Sequence, residues 1–290
     1  MTKLASYLVD AYKRLAEPTP ASRFKNFPLL DKCLGGLRPR EYTILCGSTG
    51  SGKTSICAAL AVDLLKQKTP LYVASVETGP LDFVNRMMSC VAKENWNLGD
   101  PIPIHKLEKF RQDNEWFEDI PFYLGRYEDR VPNDELLGEI KRHVDEYGVK
   151  VAILDNLNFF MEVSKSADTI LEMDRVVHDA IIFCKQVDVH LIVVMHPRKT
   201  MSGRVETEFD VKGSSTACQE AHNILLWNRP PRNIIDEDPE YFKNFREMKI
   251  AKCRRIGKYV GSSVPLYSYD GVSFEERSYK HKPIGKNYAY

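Results

Sequence analysis

Eight consecutive residues, Gly47-Ser48-Thr49-Gly50-Ser51-Gly52-Lys53-Thr54, fit the spacing G-x-x-x-x-G-K-S/T. Glycines at these places let successive backbone N–H groups turn inward around a phosphate. A helix that starts where the loop ends aims its positive terminus at the same point. Lys53 is then placed to reach the outer phosphates of a nucleoside triphosphate, the Thr54 hydroxyl can ligate Mg²⁺, and Ser55 beside it counts with the loop as ATP-binding. Such a loop needs a second anchor for the metal, a group to orient water, and a sensor of the terminal phosphate. Asp155 ends the apolar run Val151-Ala152-Ile153-Leu154. An acid at the carboxyl end of a buried strand can hold the cation through water; the competing reading is a helix N-cap. Glu77 follows the run Leu71–Val76. If that run lies next to the strand leading into the loop, Glu77 is the base for the attacking water; otherwise it is a solvated strand-end acid. His196 ends the run Val189–Met195, where a polar side chain could sense the outer phosphate or serve only as a structural imidazole.

The elements that would carry these residues follow from the hydrophobic pattern. Tyr42–Cys46, Leu71–Val76, Val151–Leu154 and Val189–Met195 are short continuous apolar runs that predict strands. Between them, Lys53–Lys66, Leu81–Lys93, Asn133–Tyr147 and Thr169–Gln186 predict helices, the last with Ile170, Met173, Val177, Ile181 and Cys184 on one face. Unbroken apolar strands alternating with amphipathic helices predict an α/β fold with a mainly parallel sheet covered on both faces. Ile224–Trp227, Lys249–Ala251 and Val264–Tyr267 predict further strands without intervening helices, so an antiparallel extension is expected at one edge. At the N-terminus, Leu4, Leu8, Val9, Ala11, Tyr12 and Leu15 form one helical stripe, cut off by Glu17-Pro18-Thr19-Pro20. That stripe must be buried either against its own domain or against a neighbouring subunit.

The balance of 41 Lys plus Arg against 40 Asp plus Glu gives a net charge of +1. It argues against a surface coated in positive charge while allowing a local basic channel. Seven cysteines, none in a C-x-x-C pair, disfavour a structural zinc site and a disulfide framework, and suit a reducing compartment. No apolar run reaches the roughly 18 residues of a membrane-spanning helix, so no membrane partner is expected. The N-terminal stretch lacks the apolar core of a signal peptide, and Asp10 and Glu17 disfavour a transit peptide.

Taken together, these motifs resemble those of the hexameric replicative DNA helicases of the DnaB-like family, above all its mitochondrial (Twinkle) and phage primase–helicase branches. The resemblance spans roughly residues 24–275 in order. Phe27-Pro28-Leu29-Leu30-Asp31-Lys32-Cys33-Leu34-Gly35-Gly36-Leu37 looks like the lead-in to the loop. Ser75-Val76-Glu77 resembles the catalytic-glutamate motif, and Leu154-Asp155-Asn156-Leu157 the metal-binding strand end. Met195-His196-Pro197-Arg198-Lys199 is similar to the sensor segment. Gly213-Ser214-Ser215 with Gln219-Glu220-Ala221-His222-Asn223 is similar to the segment carrying a DNA-binding loop, and Lys252-Cys253-Arg254 to the segment carrying an arginine finger.

The resemblance implies a RecA-like P-loop ATPase core, with ATP and Mg²⁺ as cofactors. It implies assembly into a hexameric or heptameric ring that translocates 5′ to 3′ on single-stranded DNA and opens forked duplexes. By matching positions, Glu77 would polarise water and His196 would couple the γ-phosphate to the DNA loop. Arg254, with Lys252, would reach the neighbouring subunit's nucleotide, unless these residues belong to a merely basic strand. Arg229 would stack on adenine, with Tyr267 a weaker candidate for its other face. Arg198, Lys199, Lys212, Gly213 and Ser214 would track single-stranded phosphates, with Arg204 adding charge, unless the segment is only a mobile surface loop. The expected divisions are a linker helix and linker over 1–22, the ATPase domain over 23–279 and a loose tail over 280–290. Two departures stand out. No primase region or zinc-binding cysteines precede the motifs, so the chain reads as a stand-alone helicase or a helicase domain, with a primase or polymerase as partner in trans. Arg255 follows Arg254 where the mitochondrial branch has an aromatic residue, which leaves two arginines as possible fingers. The expected setting is a bacterial or phage-infected cytoplasm or a mitochondrial matrix. The same fold also serves recombinase and clock-type ATPases, which bind DNA or partners without unwinding; an alternative of a different class is a loader or scaffold that binds ATP but hardly turns it over, against which Glu77 argues.

Overall fold

Continuous apolar segments cannot leave either face of a strand in water, so they assemble as the middle layer of a sandwich. The computed structural model describes residues 4–16, 21–97, 99–125, 127, 132–156, 169–198, 204–211 and 215–279. In chain order the helices are α1 (Leu4–Ala16), α2 (Pro28–Leu34), α3 (Lys53–Lys66), α4 (Pro80–Ala92), α5 (Ile104–Asp113), α6 (Asn133–Tyr147), α7 (Thr169–Gln186), α8 (Ser215–Glu220), α9 (Arg232–Ile235) and α10 (Pro239–Phe242). The strands are β1 (Tyr42–Gly47), β2 (Leu71–Ser75), β3 (Phe122–Leu124), β4 (Val151–Asp155), β5 (His190–Met195), β6 (Asn223–Asn228), β7 (Phe245–Cys253), β8 (Ser263–Tyr269) and β9 (Ser273–Glu276).

Among the described residues the strands form one nine-stranded sheet in the order β3-β2-β4-β5-β1-β6-β7-β8-β9. Pairing is parallel from β3 to β6 and antiparallel from β6 to β9. The mainly parallel sheet with an antiparallel edge is therefore as the pattern predicts. Every residue of β1, β2, β4, β5 and β6 is buried. One face packs on α6 and α7 through Leu136, Ile140, Val177, Ile181 and Cys184. The other carries α3 and α4, with Phe83 and Met87 reaching down from α4. Helix α3 is enclosed almost all round, which its small residues Ala58, Ala59 and Ala61 permit.

One expectation fails. The strand before Glu77 is not a neighbour of the loop strand: β4 and β5 lie between β2 and β1. The crossover through α3 is long enough to land β2 beyond two sheet positions, and later strands fill the gap. The stripe on α1 is not folded back on this chain either. Leu4, Val9, Tyr12 and Leu15 are all exposed, from 52% to 79%.

A buried polar chain locks the three central strands. Asn223 Nδ2 donates to Thr43 Oγ1 at 3.0 Å. The Thr43 hydroxyl meets His190 Nε2 at 2.8 Å, and His190 Nδ1 meets the Arg38 carbonyl at 2.7 Å. Since a carbonyl only accepts, Nδ1 carries the proton and Nε2 accepts from Thr43. A second proton on the ring would turn Nε2 into a donor against the buried hydroxyl that now donates to it. Burial, with the nearby His222 and Arg38, pushes the His190 pKa down to about 4 from 6.5. A depressed histidine contributes stability that is full above 6.5 and lost as pH falls toward 4, about 3 kcal/mol in all. Urea unfolding of wild type and His190→Asn should show that extra loss across this window in wild type only. Parallel pH profiles would refute it.

Candidate nucleotide-binding site

The apolar strand β1 delivers Gly47 to the carboxyl edge of the sheet, and the chain turns straight into α3. Gly50 and Gly52 take φ of 72° and 90°, values that side chains resist. Ser51 N–H closes the turn on the Ser48 carbonyl at 3.1 Å. Gly47 has a second reason to lack a side chain: a Cβ there would lie 2.8 Å from the Trp227 carbonyl and 3.1 Å from the Ser51 hydroxyl. Trp227, fully buried on β6, donates its indole N–H to the Ser51 carbonyl at 2.9 Å. The loop is thus held from beneath by a strand far away in sequence.

Lys53 opens α3, is buried, and donates to the Ser48 carbonyl at 3.1 Å. Burial pushes its pKa down, while Asp155 and Glu77 hold it up. Asp155 is fully buried at the end of β4, joined to Asn156 by a cis peptide. Burial pushes its carboxyl up to about 6, with Glu77 adding to the rise and Thr54, Lys53 and Arg86 opposing it. Among the described residues only the Thr54 hydroxyl comes close enough to act on its carboxylate as a donor, and neither oxygen is held at ordinary hydrogen-bonding geometry. Buried oxygens of this kind, beside the Thr54 hydroxyl, are hard donors that fit Mg²⁺. Among the described residues no group of three or more His, Cys, Asp and Glu could hold a metal alone.

Although β2 and β1 are apart, Glu77 does arrive at the site. Val76 N–H donates to the Asp155 carbonyl at 3.0 Å, extending the β2–β4 ladder beyond the strand. Ser75 and Thr78 join hydroxyls at 2.8 Å across the turn that carries Glu77. Asn156 then links the acid to the sensor position: its Nδ2 lies 2.7 Å from Glu77 Oε2 and 2.8 Å from His196 Nε2. The far side of the imidazole faces the loop, with Nδ1 at 3.3 Å from Thr49 Oγ1 and 3.4 Å from Lys53 Nζ. The structure thus brings Lys53, Thr54, Asp155, Glu77 and His196 together at the loop, with Glu77 reaching it across β4 and β5 and not from a neighbouring strand. Asn156 and Arg86 carried no predicted role. Arg86 Nη1 reaches Ser55 Oγ at 3.4 Å from α4. Nothing in an amphipathic helix pattern marks an arginine as aimed at a loop. Asn156 had one signal, its place directly after Asp155.

The remaining residues lie farther round. Arg229 follows β6 and is exposed, and its carbonyl accepts from Arg204. Tyr267 sits on β8 against Phe245, with the Arg277 guanidinium 4.3 Å from its ring centre. Lys252 and Arg254, at the end of β7, bind backbone carbonyls at the C-terminus of α8. Lys252 Nζ lies 2.7 Å from the Cys218 oxygen and 2.6 Å from that of Gln219, and Arg254 also donates to Gln219. Arg198 is exposed beside a bridge pairing Pro197 with Val211. Lys199, Lys212, Gly213 and Ser214 lie outside the described residues, each close in sequence to that bridge. Arg204 is not spare charge for a DNA loop. It is paired with Glu206 at 2.8 Å and with the buried Glu247 at 3.5 Å, and so straps its segment to the sheet.

The family described as the DnaB-like helicase C-terminal domain matches residues 24–266. The chain belongs to this family. A DNA helicase/primase of Enterobacteria phage T3 is 23% identical over 246 residues, covering 79% of this chain and 42% of that protein. A probable replicative DNA helicase of Trieres chinensis is 20% identical over 264 residues, covering 85% of this chain and 56% of that protein. The chain therefore spans about half the length of these relatives. Among solved structures, an isolated ATPase domain superposes with a TM-score of 0.76 at 14% identity, over 96% of this chain and 100% of that one. A DnaB-like replicative helicase studied for its interactions with primase gives 0.76 at 16% identity, over 96% and 68%. The RadB recombinase gives 0.54 at 17% identity, over 86% and 96%. At these identities the likeness is one of fold: a RecA-like ATPase core, with the nucleotide-binding domain that family membership implies. No helix among the described residues is long and apolar enough to cross a membrane.

Replacing Trp227 with Phe keeps the ring packing but removes the hydrogen bond under Ser51, worth about 0.5–1.5 kcal/mol. The dissociation constant for a fluorescent ATP analogue with Mg²⁺ should rise by up to about tenfold. Unchanged affinity would show that the indole does not hold the loop.

Proposed function

We propose that this chain is the ATP-hydrolysing motor of a ring-forming replicative DNA helicase. The observation that carries the reading is the convergence of Lys53, Thr54, Asp155, Glu77 and His196 on one glycine-rich loop. The loop residues Gly47–Thr54, with Ser55, bind the triphosphate of ATP, and Arg229 with Tyr267 borders the base. Thr54 and Asp155 hold Mg²⁺, which when bound draws charge from the phosphate oxygens. Glu77 polarises a water whose oxygen attacks the γ-phosphorus. The bond from phosphorus to the bridging oxygen breaks, the water's proton passes toward Glu77, and ADP leaves with the bridging oxygen. Lys53 offsets the charge on the phosphates. His196 senses the γ-phosphate.

Each site is half of an interface in this reading. Arg254, with Lys252, completes the site of the next subunit in a hexameric or heptameric ring. The exposed stripe of α1 docks on an adjacent subunit. Arg198, Lys199, Lys212, Gly213 and Ser214 track the backbone of single-stranded DNA, 5′ to 3′, and a primase or polymerase acts in trans. A net charge of only +1 suits this arrangement, because only the channel needs to be basic.

Two experiments test the reading. The full chain with Mg²⁺ and ATP should separate a forked DNA substrate, and Lys53→Ala should abolish the separation. Turnover without strand separation would favour the recombinase-type reading instead. In the same assay Arg254→Ala should lose turnover by roughly 1,000-fold and keep ATP binding. If Arg255→Ala shows that loss and Arg254→Ala does not, the finger is Arg255. Removing residues 1–20 should lower the mass measured by light scattering at micromolar concentration, and an unchanged mass would sink the docking role of α1.

A further inference from the structure

We propose that Asn156 is the positioning residue that makes the direction of the Glu77 carboxylate depend on His196. The proposal rests on the reading of Glu77 as the water-polarising group and His196 as the phosphate sensor. Its basis is a single amide nitrogen within hydrogen-bonding distance of both partners, 2.7 Å from Glu77 Oε2 and 2.8 Å from His196 Nε2. Glu77 and His196 themselves stand 4.0 Å apart, so the amide links two groups that do not bond directly. Asn156 is buried to 2% exposure, and it follows Asp155, whose backbone is fixed in the β2–β4 ladder.

The chemistry of the three groups fixes the direction of each bond. A carboxylate only accepts, so Asn156 must present its NH₂ and not its carbonyl to Glu77. The second hydrogen of that NH₂ then points at His196 Nε2, which must accept it. The imidazole proton is left on Nδ1, where the Thr49 hydroxyl at 3.3 Å can accept it; the Lys53 ammonium, 3.4 Å from the same nitrogen, only donates and is a neighbour of that proton, not its acceptor. The three side chains therefore form one ordered relay. A change in which His196 Nε2 ceases to accept puts two donors face to face. The amide must then turn, and Glu77 meets a carbonyl oxygen in place of a donor. Orientation at the phosphate side of His196 is in this way passed to the acid that orients water. Side chains that share a hydrogen-bond network act as a unit, so their removal should be non-additive.

A double-mutant cycle on steady-state hydrolysis, in the full chain with Mg²⁺, ATP and single-stranded DNA, tests the relay. Asn156→Ala should lower kcat by roughly 100-fold, as misplacement of a catalytic group does, with KM changed less than about threefold. The same substitution in a Glu77→Gln or a His196→Ala background should cost little more. A role confined to packing would add its full loss in every background, and that outcome overturns the proposal, as does normal turnover in Asn156→Ala. The near-isosteric Asn156→Leu is measured beside it. If Asn156→Ala melts early, the cycle is read on Asn156→Leu, where a small added cost supports the relay and a full added loss overturns it. Normal turnover in Glu77→Gln alone would instead sink the reading of Glu77, a result distinct from failure of the relay.

Discussion

Parallel pairing of β1 with β5 on one side and β6 on the other is the constraint on which the site depends. In parallel strands all carboxyl ends reach the same edge of the sheet. The register sets Cys46 beside Met195 and Gly47 beside Trp227. His196, the residue after Met195, therefore emerges at the loop, and Trp227 lies under it. Likewise Ser75 pairs with Asp155, so Glu77 emerges close to the metal anchor. A slip of one residue in any of these ladders would turn alternate side chains to the opposite face and scatter the site. The buried chain Asn223–Thr43–His190 ties the same three strands through side chains and fixes that register from the interior.

Burial sets the electrostatics at this edge. Lys53 and Asp155 are each shifted toward their neutral forms chiefly by loss of water, and each is drawn back by the other. An opposed pair held apart from solvent is poised for ligands that bring both signs of charge, a phosphate for the ammonium and a cation for the carboxylate. Arg86 adds positive charge from α4, and its effect on Asp155 has the same sign as that of Lys53.

On the far side of β6, Lys252 and Arg254 bind the last carbonyls of α8, where a helix carries partial negative charge. Helix α8 follows directly on residues 212–214, the segment proposed to track DNA.

The amino-acid sequence by itself determined the loop, the alternation of strands and helices, the antiparallel edge, and the two acids and one imidazole that follow three of the strands. These are local matters, since glycine spacing and hydrophobic period act over a few residues. Strand order was not legible, because hydrophobic pattern says which segments are strands and not which are neighbours; hence the misplaced β2. Tertiary structure alone decided that Trp227 supports Ser51, that Arg204 is held by Glu247, and that Asn156 stands between Glu77 and His196. These contacts join residues from 40 to 176 positions apart in the chain. Such contacts depend on how the sheet is ordered, and that order is set by the burial of all its strands together.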